Sequence, residues 1–148
     1  MKFNKILCPI DFSEYSEKAV IYAKELAKTF NSKLYIIHII YEPAEFTGFY
    51  VPHISFDKIK SEIKSGAQKL MDEFINKNLK DFTNFEVIVT IGDPAEEIIK
   101  FSNDKDIDLI VIGSQGKKGL EKFVFGSTAE KVVKRAVCPV MCIKPDKE

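Results

Sequence analysis

Three glycines and two hydroxyl residues late in the chain form the pattern Gly-x2-Gly-x9-Gly-Ser-Thr. Glycine lacks a Cβ, so these positions can take positive φ and bring backbone N–H groups close to an anion. A helix that begins at this motif adds the unpaired N–H groups of its first turn and the positive end of its dipole. The pattern therefore predicts a phosphate-binding loop, formed by Gly113, Gly116, Gly126, Ser127 and Thr128.

A carboxylate, Asp11, directly follows the first apolar segment, residues 5–10. At that position it can accept hydrogen bonds from the hydroxyl groups of a ribose, as acidic residues do in other nucleotide-binding folds. It can equally help to cap the first helix beside Ser13. A structural role is also open for the glycine motif, in which the glycines turn the chain and Ser127 caps a helix.

The elements that must position these residues follow from the hydrophobic pattern, which alternates between strand-like and helix-like segments. This alternation predicts a single α/β doubly wound domain spanning residues 1–148, with a five-stranded parallel sheet and helices on both faces. We expect the strand order 3-2-1-4-5 and a crevice between strands one and four, where that order reverses. The predicted strands are 5–10, 33–40, 85–91, 107–112 and 139–143. The first predicted helix begins after Ser13, the second spans about 56–79, the third runs from the Asp93 cap to about Ser102, and the fourth follows Ser127.

Two helices carry more detailed predictions. In the long helix, an amphipathic stripe is expected to face the sheet, with charged residues outside. The later helix shows a strong start signal, with Asp93 as N-cap, Pro94 at the first helical position and Glu96 closing a capping box. The residues of the predicted stripe are Ile59, Ile63, Ala67, Leu70 and Phe74.

Composition disfavours several classes of function. The chain has 148 residues, 45% of them hydrophobic, and its 22 basic residues balance its 22 acidic residues. Nucleic acid and anionic membranes are therefore not expected as partners. No apolar run approaches the roughly 18 residues needed to cross a bilayer, and the first residues do not read as a signal peptide. We expect a cytoplasmic protein.

Three cysteines and two histidines are the remaining reactive groups. The cysteines lie in apolar segments and are expected to be buried and reduced. A metal site is disfavoured, because Cys138-x3-Cys142 lacks a matching second pair of ligands. His38 lies within a predicted strand and is expected to be a hydrogen-bonded core residue.

Several segments together resemble the universal stress proteins of the ATP-binding type, over nearly the whole chain. This resemblance implies a five-stranded parallel sheet and a homodimer. The segments that carry it are Cys8–Ser13, Gly92–Ile98, Gly113–Gly116, Gly126–Thr128 and Cys138–Val140.

The resemblance also implies a set of roles in binding ATP. Asp11 would contact the ribose, while Pro9, Ile10 and Ile39 would line the adenine pocket. Magnesium or manganese would bridge the phosphates. Gln115 departs from the His or Arg that many relatives carry there, which removes a possible charge from the site. The residues that would hold ribose and phosphates are Gly113, Gly116, Gly126, Ser127 and Thr128.

An aromatic segment, residues 41–56, interrupts the regular pattern between the second strand and the long helix. Irregular loops of this length are often functional or disordered. Packing against the body of the protein, a lid over a bound base and contact with a partner all remain open. Lys117, Lys118 and Lys122 are the only cations close to the glycine motif, and a solvated surface is favoured over phosphate contact.

Three classes of function compete. A nucleotide-dependent regulatory module with an unknown protein client is favoured, because the chain has a phosphate cradle but no Gly-x4-Gly-Lys-Ser/Thr motif and no recognisable catalytic set. A slow ATP hydrolase and an interaction domain with an empty pocket are the alternatives. The predicted last strand, residues 139–143, would form the homodimer, since edge strands invite pairing.

Overall fold

A computed structural model of the protein describes residues 1–42, 56–115, 125–144 and 146. Strands and helices alternate along these residues as predicted, and most element ends agree with the predictions to within two residues. The elements are β1 (Lys5–Pro9), α1 (Glu14–Phe30), β2 (Lys33–Tyr41), α2 (Phe56–Asn78), β3 (Phe85–Gly92), α3 (Pro94–Asp104), β4 (Leu109–Gly113), α4 (Ser127–Arg135) and β5 (Val140–Ile143).

The five strands form one parallel sheet in the order β3-β2-β1-β4-β5, which confirms the predicted topology. The central strands are almost continuously apolar and buried, as expected where helices cover both faces of a sheet. β3 lies at one edge and most of its residues are half-buried, which agrees with its more alternating sequence. β5 forms the opposite edge.

The core is divided by the sheet into two hydrophobic clusters. One cluster joins β1, β2 and β4 to helices α1 and α2, and includes Cys8, Ala23 and Met71. The other joins the same strands to α3 and α4, and includes Ile98 and Val132. Burial raises the pKa of the Cys8 thiol, which favours its uncharged form.

The face of α2 differs from the prediction. Ile59, Ile63 and Leu70 are 43%, 49% and 48% exposed, and every residue from Phe56 to Gly66 lies at the surface. Only the second half of the helix packs on the sheet, through Ala67, Met71 and Phe74. These three follow the spacing i, i+4, i+7, so Met71 takes the place expected for Leu70.

The start of α3 was predicted correctly in part. Asp93 is the N-cap and its Oδ1 accepts a hydrogen bond from the Glu96 N–H at 3.0 Å, with Pro94 as the first helical residue. The capping box, however, was wrong. Both carboxylate oxygens of Glu96 bind Arg135 at the end of α4 instead, which joins the two helices on this face.

Gly113 lies where α1 approaches the end of β4 most closely. A Cβ at Gly113 would lie 3.0 Å from Tyr15 Cβ and 3.1 Å from the Tyr15 carbonyl carbon and oxygen. A rotamer change cannot relieve these contacts, so a side chain at position 113 would require α1 to shift by a few tenths of an ångström. Its φ is not positive, so the freedom to take a positive φ is not used at this position.

Within the described residues, no helix has the length and apolar content that crossing a membrane requires. The cysteines are all free, Cys8 being buried and Cys138 and Cys142 half-buried.

The register of α2 can be tested by truncating one residue from each half of the helix. We expect Met71→Ala to lower the free energy of unfolding by about 2–5 kcal/mol, since it leaves a cavity in a fully buried site. Ile63→Ala is the matched control and should change it by less than about 0.5 kcal/mol, because Ile63 is exposed. Urea unfolding followed by circular dichroism measures both values. Equal losses in the two variants would contradict the register described here.

The packing of α1 on β4 can be tested with two glycine substitutions. Gly113→Ala should destabilise the protein by about 1–3 kcal/mol, because the added methyl meets the Tyr15 backbone. Gly66→Ala, within α2, meets no atom within 4 Å and should stabilise it by about 0.5–1 kcal/mol. Thermal unfolding of the two variants measures the contrast. A stability gain in Gly113→Ala would show that α1 does not approach β4 so closely.

Candidate functional site

The candidate site lies at the carboxyl ends of β1 and β4, where the sheet order reverses. β1 pairs with β2 over five residues, up to the pair Pro9 and Ile37, but with β4 only at Ile6 and Leu7. The β1–β4 ladder therefore ends before the carboxyl end of β1, and the two neighbouring strands lead into connections that run in opposite directions. Ligands of open α/β sheets bind in such a crevice.

Asp11 lies on the β1 side of the crevice and takes part in the start of α1. Its Oδ1 accepts hydrogen bonds from the Ser13 N–H at 3.0 Å, from the Ser13 hydroxyl and from the Ser16 hydroxyl at 2.6 Å. Ser13 is the N-cap and accepts from the Ser16 N–H at 3.3 Å, which confirms its predicted role. This geometry supports the capping interpretation of Asp11, while the ribose contact stays a prediction. Sequence reasoning missed Ser16.

Phe12 adopts an unusual backbone conformation beside Asp11. Its φ is 65°, in the left-handed region that bulky residues rarely occupy. Its ring lies 4.4 Å from the His38 ring and 5.9 Å from the Phe74 ring, between centroids. These contacts fix the backbone that carries Asp11 against β2 and α2.

His38 is hydrogen-bonded, as predicted. Its Nδ1 lies 2.8 Å from the carbonyl oxygen of Ile10. The Ile10 N–H in turn donates to the Ile37 carbonyl at 2.9 Å, so the chain just beyond β1 is held along β2. His38 therefore acts as part of the support for the Asp11 turn.

The β4 side of the crevice ends at the first turn of α4. Gly126 is the N-cap, with φ −63° and ψ 154°, and among the described residues no side chain caps the helix. The alternative in which Ser127 caps α4 was therefore wrong, and the φ of Gly126 is not positive. Ser127 is exposed and Thr128 half-buried at the beginning of the helix. The first turn thus combines N–H groups that no side chain caps with the positive end of the dipole, which favours an anion.

The start of α4 is tied to the end of β4 by the backbone. The Gly126 N–H donates to the Ser114 carbonyl at 2.7 Å, and the Ser114 N–H donates to the Ile143 carbonyl at 2.9 Å. Ser114 and Gln115 are both buried. Gln115, one of the predicted site residues, is therefore an interior position in this chain.

The residues predicted to line an adenine pocket, Pro9, Ile10 and Ile39, are all buried. Ile10 belongs to the cluster under α1, whereas Ile39 belongs to the cluster under α3. The structure therefore places these two side chains in different parts of the core.

Some predicted residues lie outside the described part of the chain. Gly116, the lysines at 117, 118 and 122, and most of the aromatic segment fall within residues 43–55 and 116–124, and their predicted roles stay predictions.

The single arginine of the chain is held away from the start of α4. Arg135 is the last residue of α4, and its guanidinium group binds the Glu96 carboxylate with two hydrogen bonds, one of them 3.1 Å long. The pairing keeps the pKa of Glu96 below its ordinary value. Arg135 is therefore placed to link helices rather than to contact a phosphate at the other end of α4.

Comparison with known proteins gives a consistent family. A model of the universal stress protein family matches residues 2–144. Universal stress protein YxiE of Bacillus subtilis is 35% identical over 147 residues, covering 96% of this chain and 99% of the relative. Universal stress protein MJ0577 of Methanocaldococcus jannaschii is 32% identical over 157 residues, covering 96% and 95% of the two chains.

Solved structures share the fold. The structure of MJ0577 has a TM-score of 0.82 at 28% identity and is covered completely, as is this chain. A universal stress protein in complex with cAMP has a TM-score of 0.65 at 20% identity, covering 97% of this chain and 98% of that one. The protein from Archaeoglobus fulgidus in complex with dAMP has a TM-score of 0.59 at 23% identity, covering 97% and 100%. The chain belongs to the universal stress protein family, by a family match that spans nearly its full length.

Proposed function

We propose that this universal stress protein binds ATP in the crevice between β1 and β4 and acts as a nucleotide-dependent regulatory module. The observation that carries the proposal is the first turn of α4, which no side chain in the described part of the chain caps and which follows β4 at the sheet edge where Asp11 follows β1. Backbone N–H groups for an anion and a carboxylate for ribose hydroxyl groups would thus lie at the ends of two neighbouring strands. Proteins of this fold in complex with cAMP and dAMP support an adenine nucleotide as the ligand.

The proposed binding mode assigns each part of ATP to one group of residues. The phosphates would lie at the start of α4, where backbone N–H groups and two hydroxyl groups can donate to them. Asp11 would accept hydrogen bonds from the ribose, and buried apolar residues would contact the adenine. Magnesium or manganese would be held by the phosphates. The proposed residues are Pro9, Ile10, Asp11, Ile39, Gly113, Gln115, Gly116, Gly126, Ser127 and Thr128.

A regulatory role is favoured over catalysis because phosphoryl transfer needs charge stabilisation beyond a phosphate cradle. An arginine that contacts the transferred phosphate can raise the rate by about 10³- to 10⁵-fold. In this chain the one arginine binds Glu96 at the far end of α4. ATP would then act as a bound signal that changes the surface offered to a protein client.

Titration calorimetry with ATP and magnesium tests the binding site. Asp11→Ala should weaken binding about tenfold or more, because a charge-assisted hydrogen bond is worth about 1.5–3 kcal/mol. Gly126→Val should abolish binding, since it crowds the anion at the start of α4. Asp72→Ala is the matched control, because it removes an exposed carboxylate on α2 and should leave the affinity unchanged.

Circular dichroism of each variant separates a lost site from a lost fold. If folded Asp11→Ala binds ATP as tightly as the wild type, Asp11 has only a capping role. A wild-type protein that binds no ATP would contradict the proposed function itself and favour an interaction domain.

Single-turnover assays with radiolabelled ATP test the distinction between a signal and a substrate. We expect hydrolysis far slower than the roughly 1 to 10³ per second of typical enzymes, because the one arginine of the chain is paired with Glu96 at the far end of α4. Turnover within the enzymatic range that disappears in Gly126→Val would identify the protein as an ATPase instead.

We also propose a homodimer formed through β5. The strand lies at the open edge of the sheet, and Val137 and Met141 expose apolar side chains beside that edge. The Pro139 and Ile143 carbonyl groups accept hydrogen bonds from the β4 side. Because alternate residues of a strand bond to the same side, Val140 and Cys142 direct their backbone groups toward the open edge. A second β5 strand would satisfy these groups.

The position of Cys142 gives a direct test of this dimer. Cys142→Pro removes an outward N–H without removing a bond to β4, so it should yield a folded monomer. Cys142→Ala keeps the N–H and should remain dimeric. Light scattering measures the mass of each protein. A monomeric wild type would contradict the proposed interface, and so would a folded Cys142→Pro variant that stays fully dimeric.

A further inference from the structure

Ser16 is a buried polar residue in the first turn of α1, directly beneath the Asp11 turn. Its side chain contacts Asp11 twice: its Oγ accepts from the Asp11 N–H at 2.8 Å and donates to Asp11 Oδ1 at 2.6 Å. The residue is only 5% exposed, so water does not compete for these bonds. One hydroxyl group therefore fixes both the backbone and the side chain of Asp11.

The available protons determine the direction of each bond. A serine hydroxyl has one proton to donate, and that of Ser16 goes to Asp11 Oδ1 at 2.6 Å while the Ser16 oxygen accepts from the Asp11 N–H. The same holds for Ser13: its oxygen accepts from the Ser16 N–H, and its hydroxyl proton goes to Asp11 Oδ1. The 3.4 Å contact between the two hydroxyl oxygens is therefore not a hydrogen bond at the same time.

Asp11 Oδ1 consequently accepts three hydrogen bonds, from the Ser13 N–H, the Ser13 hydroxyl and the Ser16 hydroxyl. The oxygen of an ionised carboxylate can accept all three bonds. The arrangement holds Asp11 in one rotamer. Ser13 is also the N-cap of α1, so Ser16 is the member of this network whose removal leaves the cap hydroxyl in place.

We propose that Ser16 is a positioning residue for nucleotide binding, which acts by holding the Asp11 carboxylate in the orientation that meets the ribose hydroxyl groups. This inference rests on the proposed function, because it assigns Ser16 a role through Asp11. Orientation before binding raises affinity, since a side chain that is already fixed loses no further rotational freedom when the ligand arrives.

Titration of Ser16→Ala with ATP and with 2′,3′-dideoxy-ATP tests the proposal. We expect about threefold to tenfold weaker binding of ATP, which corresponds to one side chain that must be ordered on binding. Binding of the dideoxy nucleotide should change little, because it lacks the hydroxyl groups that Asp11 would contact. The preference of the protein for ATP over the dideoxy nucleotide should therefore fall, a result that general destabilisation would not produce.

Two further comparisons isolate the route through Asp11. In an Asp11→Ala background, Ser16→Ala should have no additional effect on ATP affinity, since the group it orients is gone. Ser102→Ala is the matched control: Ser102 is also buried, but its hydroxyl donates to the Ile99 carbonyl in α3. It should change neither the affinity nor the nucleotide preference.

Ser16→Cys provides a variant of nearly the same size if Ser16→Ala does not fold, because a thiol fills the site but is a weak hydrogen-bond donor. It should lower the preference in the same direction. Wild-type protein that binds neither nucleotide would overturn the proposed function and this inference with it. Wild-type binding of ATP together with unchanged preference in folded Ser16 variants would overturn only the inference, as would an equal loss of both nucleotides.

Discussion

The close approach of α1 to the end of β4 at Gly113 brings the two sides of the candidate site together. A Cβ at this glycine would lie only 3.0–3.1 Å from atoms of Tyr15. The contact fixes the start of α1, which carries the Asp11 turn, beside the strand that leads to α4. The two halves of the crevice are therefore held together by a packing constraint, and the hydrogen bonds at each half refine the position of individual groups.

The architecture could be predicted from sequence because it depends on local patterns. Strand and helix periodicities, together with the caps at Ser13 and Asp93, located the elements along the chain. The rule for parallel crossovers then led to the observed strand order. The face of α2 could not be obtained in this way. An apolar stripe shows which side of a helix can be buried, but it does not show where the sheet beneath it ends, and so Ile59 and Ile63 were assigned to the core.

The crevice where the strand order reverses could be predicted from sequence, but the local structure of the residues around it could not. Gly113 was identified for its conformational freedom, whereas in the structure it allows the close approach of Tyr15. Phe12 carries no signal of a left-handed backbone, because its conformation depends on aromatic contacts with His38 and Phe74, which are distant in sequence. Ser16 was missed for a similar reason: a serine in the first turn of a helix is common, and only its distances to Asp11 distinguish it.

Binding of an adenine nucleotide at the carboxyl ends of β1 and β4 can be tested most directly by backbone amide NMR during titration with ATP and magnesium, because each residue reports separately. We predict that the largest shifts occur at Asp11, Ser127 and Thr128, while Ser102 and Asp106, in the groove beside Cys138, stay unchanged. Shifts confined to that groove, or no shifts at saturating ATP, would contradict it.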